Sequence, residues 1–395
     1  MALADCTSIE NFFQTEANRI SNSPSIKNWV TTPWDSNDIV PKTRWPNGYG
    51  STPNFLIYER SMPLDNQITF TTYGFNDGGE GNGGGSCTPP TSTIYQATRR
   101  LSMELKLAAV QSEKICMEDG RMAYEIVQQG ANMLRNLQNN SRFAWANQRR
   151  DEFTSICTNK VVLDSAGTPN STSFGTGTIG TLNREILDYW YDRLVADGAH
   201  QDNGLGTNQY GQPVLPLVLS REAQSTLVNS DTTINNIRWS NSSNDKLLGP
   251  RGSFVNLEGF KHQIDIQAPR WNLVGGAWVR VPFMLPAASA GEAAPVNPDY
   301  YTAGYEDLFI ASNQVVKFAI PDAMLTAGDL KFAPQDYLGN FKWINKYDLQ
   351  CNVDENIGFF RGKLGYGAQP GIPEYGAVIR FKRCPADWAV NTACS

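Results

Sequence analysis

Histidine is almost missing from this chain: His200 and His262 are the only two in 395 residues. A histidine-built metal site or a nucleophile–histidine triad would have to use one of them. His200 stands in a turn-rich loop at a helix end, where a cation complements the helix dipole. His262 stands in an alternating strand beside Lys261. A structural role accounts for each. The GxSxG and HExxH patterns of hydrolases and metalloproteases do not occur. The seven cysteines (Cys6, Cys87, Cys116, Cys157, Cys351, Cys384 and Cys394) are widely spaced without a CxxC pair, which argues against a disulfide framework or a zinc site and for a reducing setting. Charge is scarce too: 18% of residues are charged, for a net charge of −6. The chain therefore has no basic footprint for wrapping nucleic acid. No run approaches the roughly 18 uninterrupted apolar residues of a membrane span, and the N-terminus lacks the basic and apolar regions of a signal peptide. The expectations are synthesis in the cytosol, no membrane, no cofactor, no metal and no catalytic centre.

Two patterns come close to chemistry and fail. Residues 79–84 fit GxGxxG, but Ser86, Cys87, Thr88, Pro89 and Pro90 follow and cannot open the helix a dinucleotide fold needs; no lysine completes a P-loop. The 39 Asp and Glu residues cannot be paired at a glycosidase separation from sequence. Ten tryptophans keep a secreted carbohydrate-active β-rich protein as an alternative. Arg99-Arg100 and Lys382-Arg383 read as doublets at strand edges.

The informative features are the segments present. Residues 1–66 hold six prolines, with Trp29, Trp34, Trp45, Tyr49, Phe55 and Tyr58 between them. Proline at this density blocks helix and sheet interiors, whereas the aromatics have area to bury. The segment reads as an extended arm laid over a neighbour, or as an irregular loop packed on its own domain. Next come two strand-like arms, 67–75 (with Tyr73 and Phe75) and 92–110, around the glycine run 78–85, which includes Gly81 and Gly84. Such a tip offers little to bury, and a long hairpin of this kind is poorly stable alone.

A long helix is predicted from Met122 to Leu137, with Glu118 and Asp119 before it. A break is expected at Asn139, Asn140 and Ser141, followed by a second piece carrying Trp145 and Phe153. Arg142, Arg149 and Arg150 beside Asp151 and Glu152 form a solvated helical face or make inter-subunit ion pairs. Residues 164–181 read as a linker. A second helix places Leu182, Ile186, Leu187, Trp190, Leu194 and Val195 on one side and closes at Gly198. Residues 214–219 read as a buried strand and Ser220 caps a further helix. Strands are expected at 254–257, 262–266, 277–281 and 308–320, with two or three more between 341 and 381. Helices and strands are segregated, hence an α+β fold.

The order of proline-rich arm, glycine-tipped hairpin, long helix, second helix and β-rich C-terminal half resembles the major capsid protein of tailed phages, the HK97 fold that encapsulins share. Residues 248–266, with Gly249, Pro250, Arg251 and Gly252 and the turn Leu257, Glu258, Gly259 and Phe260, look like the capsid stretch where a loop leads into a glycine turn and strand. Residues 305–320 resemble its late returning strand. The resemblance implies an N-arm at 1–65, an E-loop at 66–112, a peripheral domain with the spine helix at 113–164, an axial domain at 165–325 and a return to the peripheral domain at 326–395. It implies a virion-capsid subunit that forms hexamers and pentamers around packaged DNA without sequence specificity. A separate scaffolding protein, a portal and decoration proteins would be its partners. No charged helical pre-sequence precedes the arm, and nothing identifies a crosslinking pair. Inter-subunit contacts are expected at Trp29, Trp34, Trp45, Tyr73, Phe75, Gly81, Gly84, Arg99 and Arg100. An encapsulin-like compartment is the second shell reading.

Overall fold

The computed structural model describes residues 15, 33–35, 39, 42–45, 54–58, 98–102, 106–112, 115–116, 123–164, 174–199, 205–208, 211–230, 248–249, 253–254, 256–257, 259–286, 288, 295–321, 342–347 and 356–383. In chain order the strands and helices are β1 (Lys42–Trp45), β2 (Asn54–Tyr58), β3 (Thr98–Ser102), β4 (Lys106–Gln111), β5 (Ile115–Cys116), α1 (Ala123–Ile156), β6 (Asn159–Val162), α2 (Arg184–Asp197), β7 (Leu215–Leu219) and α3 (Arg221–Ser230). They continue as β8 (Leu248–Gly249), β9 (Ser253–Phe254), β10 (Asn256–Leu257), β11 (Phe260–Ile264), β12 (Arg270–Val274), β13 (Ala277–Val281), the short α4 (Pro298–Thr302), β14 (Tyr305–Ile310), β15 (Val316–Pro321), β16 (Lys342–Tyr347), β17 (Asn356–Pro370) and β18 (Ala377–Lys382). The class is α+β, as expected.

Helix α1 runs 34 residues without the break expected at 139–141. Asparagine and serine cost only tenths of a kcal/mol each in a helix, and the burial of Leu134, Trp145 and Phe153 on either side outweighs that. Helix α2 follows its pattern closely. The Asn183 side chain accepts from the Ile186 amide, Ile186, Leu187, Trp190 and Leu194 are buried, and Gly198 closes the helix at φ 95°. Ser220 Oγ accepts from the Ala223 amide at 3.0 Å and so starts α3.

Two large sheets carry the fold among the described residues. The first has six strands in the order β1-β15-β17-β16, with β4 and β5 also on β17. Strand β17, 15 residues long, is its backbone; at the usual strand rise it spans roughly 50 Å. The second has eight strands. Central β14 pairs along its whole length with β18, and β18 pairs with β6. The other edge of β14 is shared: Phe309 and Ile310 pair with β7, while Tyr305 and Glu306 pair with β12. The sheet thus forks into a β7-β11-β10 branch and a β12-β13 branch. The run expected as one strand over 308–320 is two strands in different sheets, because the backbone turns at residues 312–315. Strand β12 was not anticipated. By sheet membership β15 belongs with the first sheet, and β6 and β18 with the second.

Gly259 stands in a turn between β10 and β11, which pair antiparallel. Gly259 has φ +80°, and a Cβ there would lie 2.4 Å from the Tyr191 ring, whose hydroxyl donates to the Pro213 carbonyl at 2.7 Å. Backbone strain and collision act together, so Gly259→Ala is expected to destabilise the fold by about 2 kcal/mol, read as a lowered urea midpoint.

Candidate assembly site: the arm, its socket and the exposed edges

Trp34 lies in a short 3-10 turn, Pro33–Asp35, and is 0% exposed. Its ring packs against Phe153 of α1 and Phe309 of β14 at centroid distances of 5.5 and 5.0 Å. Its indole N–H donates to Asp265 Oδ2 at 2.9 Å, the atom that also accepts from Arg150 Nη1 at 3.2 Å. Asp265 Oδ1 accepts from the Gln267 amide at 2.9 Å. The carboxylate is therefore held in the bend between β11 and β12, where the second sheet forks. The Trp34 carbonyl accepts from Arg149 Nη1 at 3.0 Å, and that guanidinium lies over the rings of Trp145 (4.7 Å) and Phe318 (4.6 Å). Ile39 is fully buried in the same core. Residues 42–45 then add to β15 as a parallel strand.

Two expectations change here. Trp34 is not a contact for a neighbour, since its side chain is enclosed by its own subunit. Arg149 and Arg150 are neither a solvated face nor an inter-subunit pair: they are buried and hold the arm and Asp265. On the exposed side of α1, Asp151 accepts from Arg280 Nη1 at 3.1 and 3.0 Å. Of the other expected contacts, Trp45 lies in β1 with its backbone opposite Pro321. Arg99 and Arg100 lie in β3 opposite Ile57 and Leu56. Trp29, Tyr73, Phe75, Gly81 and Gly84 lie outside the described residues, as do the glycine tip and the expected near arm 67–75. Within the far arm, residues 98–102 pair with residues 54–58, upstream of the expected boundary at 66, and residues 106–110 pair with β17. Among the described residues, strands β2 and β3 form a two-stranded ribbon that joins neither large sheet.

The second sheet is fastened by buried charge. Arg380 makes a bidentate pair with Asp307 at 2.7 and 2.9 Å, and Trp271 Nε1 donates to the same carboxylate at 2.8 Å. The Arg380 guanidinium lies 4.0 Å from the rings of Phe174 and Trp271 and 4.6 Å from that of Trp278, while Trp278 Nε1 donates to the Gly175 carbonyl at 3.1 Å. The expected linker is thereby pinned from Phe174 onward. A second cluster joins Glu306 to Arg270 and Arg383, whose Nε atoms lie 3.2 and 3.5 Å from its Oε2. Both arginines also reach Glu222 of α3. Burial pushes the Glu306 carboxyl up to about 7 against the pull of these guanidiniums. Arg383, buried in this cluster, is not a surface basic residue.

His262 is buried, with Nδ1 3.2 Å from Gln224 Nε2, a neighbour that is neither acid nor nucleophile. Burial lowers its imidazole to about 4. The unfolded chain binds this proton near pH 6.5, so the stability carried by the neutral ring is complete above that pH and is lost as pH falls through 4. Glu306 acts in the opposite sense: its contribution is present below the unfolded carboxylate value and is lost as pH rises through about 7. Comparison with His262→Gln isolates the contribution of the histidine. Between pH 6.5 and 4 the natural protein should lose about 3 kcal/mol more unfolding free energy than the variant in urea titrations.

Six large apolar side chains (Val274, Val279, Met284, Leu285, Val296 and Tyr301) are exposed along the β12–β13 branch and its continuation, where Met284 bridges to Val296. Among the described residues, no group of three or more His, Cys, Asp or Glu side chains is placed to hold a metal ion, and no helix is long and apolar enough to cross a membrane. Cys157 is a free, buried thiol that burial pushes up to about 12.

No family model matches the chain, and no curated protein matches it. Among solved structures it is similar to the capsid asymmetric unit of cyanophage Pam1, at 11% identity over 85% of each chain with a TM-score of 0.42. It is also similar to the capsid of Ralstonia phage GP4, at 12% identity over 89% of each chain with a TM-score of 0.41. A third similar structure is the acid-stable capsid of Helicobacter pylori bacteriophage KHP30, at 10% identity over 85% of each chain with a TM-score of 0.39. Likeness at this level supplies no residue correspondences.

Proposed function

We propose that the chain is the major capsid protein of a tailed phage, a structural subunit that assembles with copies of itself into an icosahedral shell. The observation that carries this reading is the β2–β3 ribbon. A two-stranded ribbon is at best marginally stable in water, and this one has no third strand in its own subunit among the described residues. A neighbour's surface would supply the missing cover through backbone pairing and apolar burial. Many such weak contacts, repeated by symmetry, close a shell without any one being strong.

In this reading residues 1–65 are the N-arm and residues 66–112 the E-loop, with the ribbon pairing the end of the arm to the far strand of the loop. The spine helix is α1, with the six-stranded sheet beside it as the peripheral domain, and the eight-stranded sheet is the core of the axial domain. Hexamers and pentamers, a separate scaffolding protein, a portal and decoration proteins complete the assembly. Packaged DNA would lie against the inner face without sequence specificity. Synthesis in the host cytoplasm and residence in the virion follow from the same role. Trp29, Trp45, Tyr73, Phe75, Gly81, Gly84, Arg99 and Arg100 are the proposed inter-subunit contacts.

Negative-stain electron microscopy of the purified protein tests this. Closed shells or ring-shaped capsomers are expected; a stable monomer with affinity for glycans would overturn the proposal.

A further inference from the structure

We infer that residues 33–35, 39 and 42–45 act together as a strap, anchored in cis, that clamps the C-terminal half of α1 onto the fork of the large sheet. Three fixings lie along it. Trp34 inserts between Phe153 and Phe309 and donates to Asp265, Ile39 is buried in the core, and residues 42–45 pair with β15. The fixings belong to different parts of the molecule: α1, β14, the β11–β12 bend and the first sheet. A seated strap therefore holds all four in one arrangement. Arg149 and Arg150 act as positioning residues, one gripping the Trp34 carbonyl and the other orienting the Asp265 carboxylate.

The fixings are unequal, and that is what makes the device testable. A four-residue parallel edge strand is a weak element alone. Tethered through residues 36–41 to a buried tryptophan, it is presented to β15 at an effective concentration of the order of millimolar. Trp34 is thus the lock, and β1 closes because Trp34 is seated. In a shell this would give every subunit's arm a fixed origin, but the inference concerns the isolated subunit and does not depend on assembly.

Hydrogen exchange on the full-length protein provides the test, with Trp34→Ala compared to the natural chain. Amides of residues 42–45 and of residues 145–153 in α1 are expected to exchange at least about tenfold faster, as a local opening. The β16–β17 pairing, at the opposite end of the same sheet, should keep its rate. Unchanged rates at 42–45, or equal acceleration in β16–β17, would overturn the strap. Should Trp34→Ala fail to fold, Trp34→Phe decides, since it fills most of the volume but loses the donor to Asp265. It should show the same selective pattern at smaller amplitude, and a uniform or absent change would again overturn the inference.

Discussion

Arg380→Met is expected to destabilise the subunit by about 3–5 kcal/mol, because it strands Asp307 as a buried charge without its cation. Asp307 is 1% exposed and lies opposite Arg380 in the register of β14 and β18, at the centre of the eight-stranded sheet. Removing the guanidinium leaves the Trp271 indole N–H as the remaining side-chain donor described for that carboxylate. It also empties the space between the rings of Phe174, Trp271 and Trp278. Against a typical domain stability of about 5–15 kcal/mol, the loss should appear as a large drop in urea midpoint. Arg380→Lys keeps the charge but not the bidentate fork, so an intermediate loss is expected. The double variant Arg380→Met/Asp307→Leu should be more stable than Arg380→Met alone, because the uncompensated charge is gone. A double variant no better than the single one would show that the ring packing, not the ion pair, carries the cost.

Deleting residues 78–85 is expected to leave the subunit folded and abolish regular shells. This run holds six glycines in eight residues, a composition that buries nothing and bends readily. The run lies in sequence between β2 and β3, whose ribbon joins neither large sheet among the described residues, so the cores should not register its loss. Far-ultraviolet circular dichroism and the urea midpoint should stay within experimental error of the natural protein. Electron microscopy should show free subunits or irregular aggregates. In the proposed shell role the physical reason is the range of local curvature: one ribbon would have to fit several neighbour angles, and a shortened connection would fit few of them. Normal particles from the deletion would remove the ribbon tip from the assembly mechanism.

Much of the architecture was legible where local pattern and tertiary burial agree. The periodicity of Leu182 to Val195, the stop at Gly198, the cap at Ser220 and the continuous apolar run of β7 each point the same way at both levels. Legibility failed where long-range partners decide. Arg149 and Arg150 look like helix-surface charge, yet the acceptors that bury them, Trp34 and Asp265, each lie 115 residues away in sequence. Trp34 has the same local signature whether it anchors to a neighbour or to its own core, since proline and aromatic content say that a segment is extended and sticky, not whose surface it covers. Strands β14 and β15 merged into one expected strand because apolar residues continue up to and beyond the turn. Ser312 and Asn313 were the available signal of the break. The partner of β3, at residues 54–58, was hidden from local pattern because it sits inside the proline-rich segment.

The central claim is that this subunit is completed by its neighbours, and hydrogen exchange of the β2–β3 ribbon measures that directly. In dissociated subunits the amides of residues 54–58 and 98–102 should exchange within seconds, and in assembled particles they should slow by orders of magnitude while β14 and β18 stay protected in both. A ribbon equally protected in the dissociated subunit, or a purified protein that remains monomeric under every assembly condition, would contradict the account.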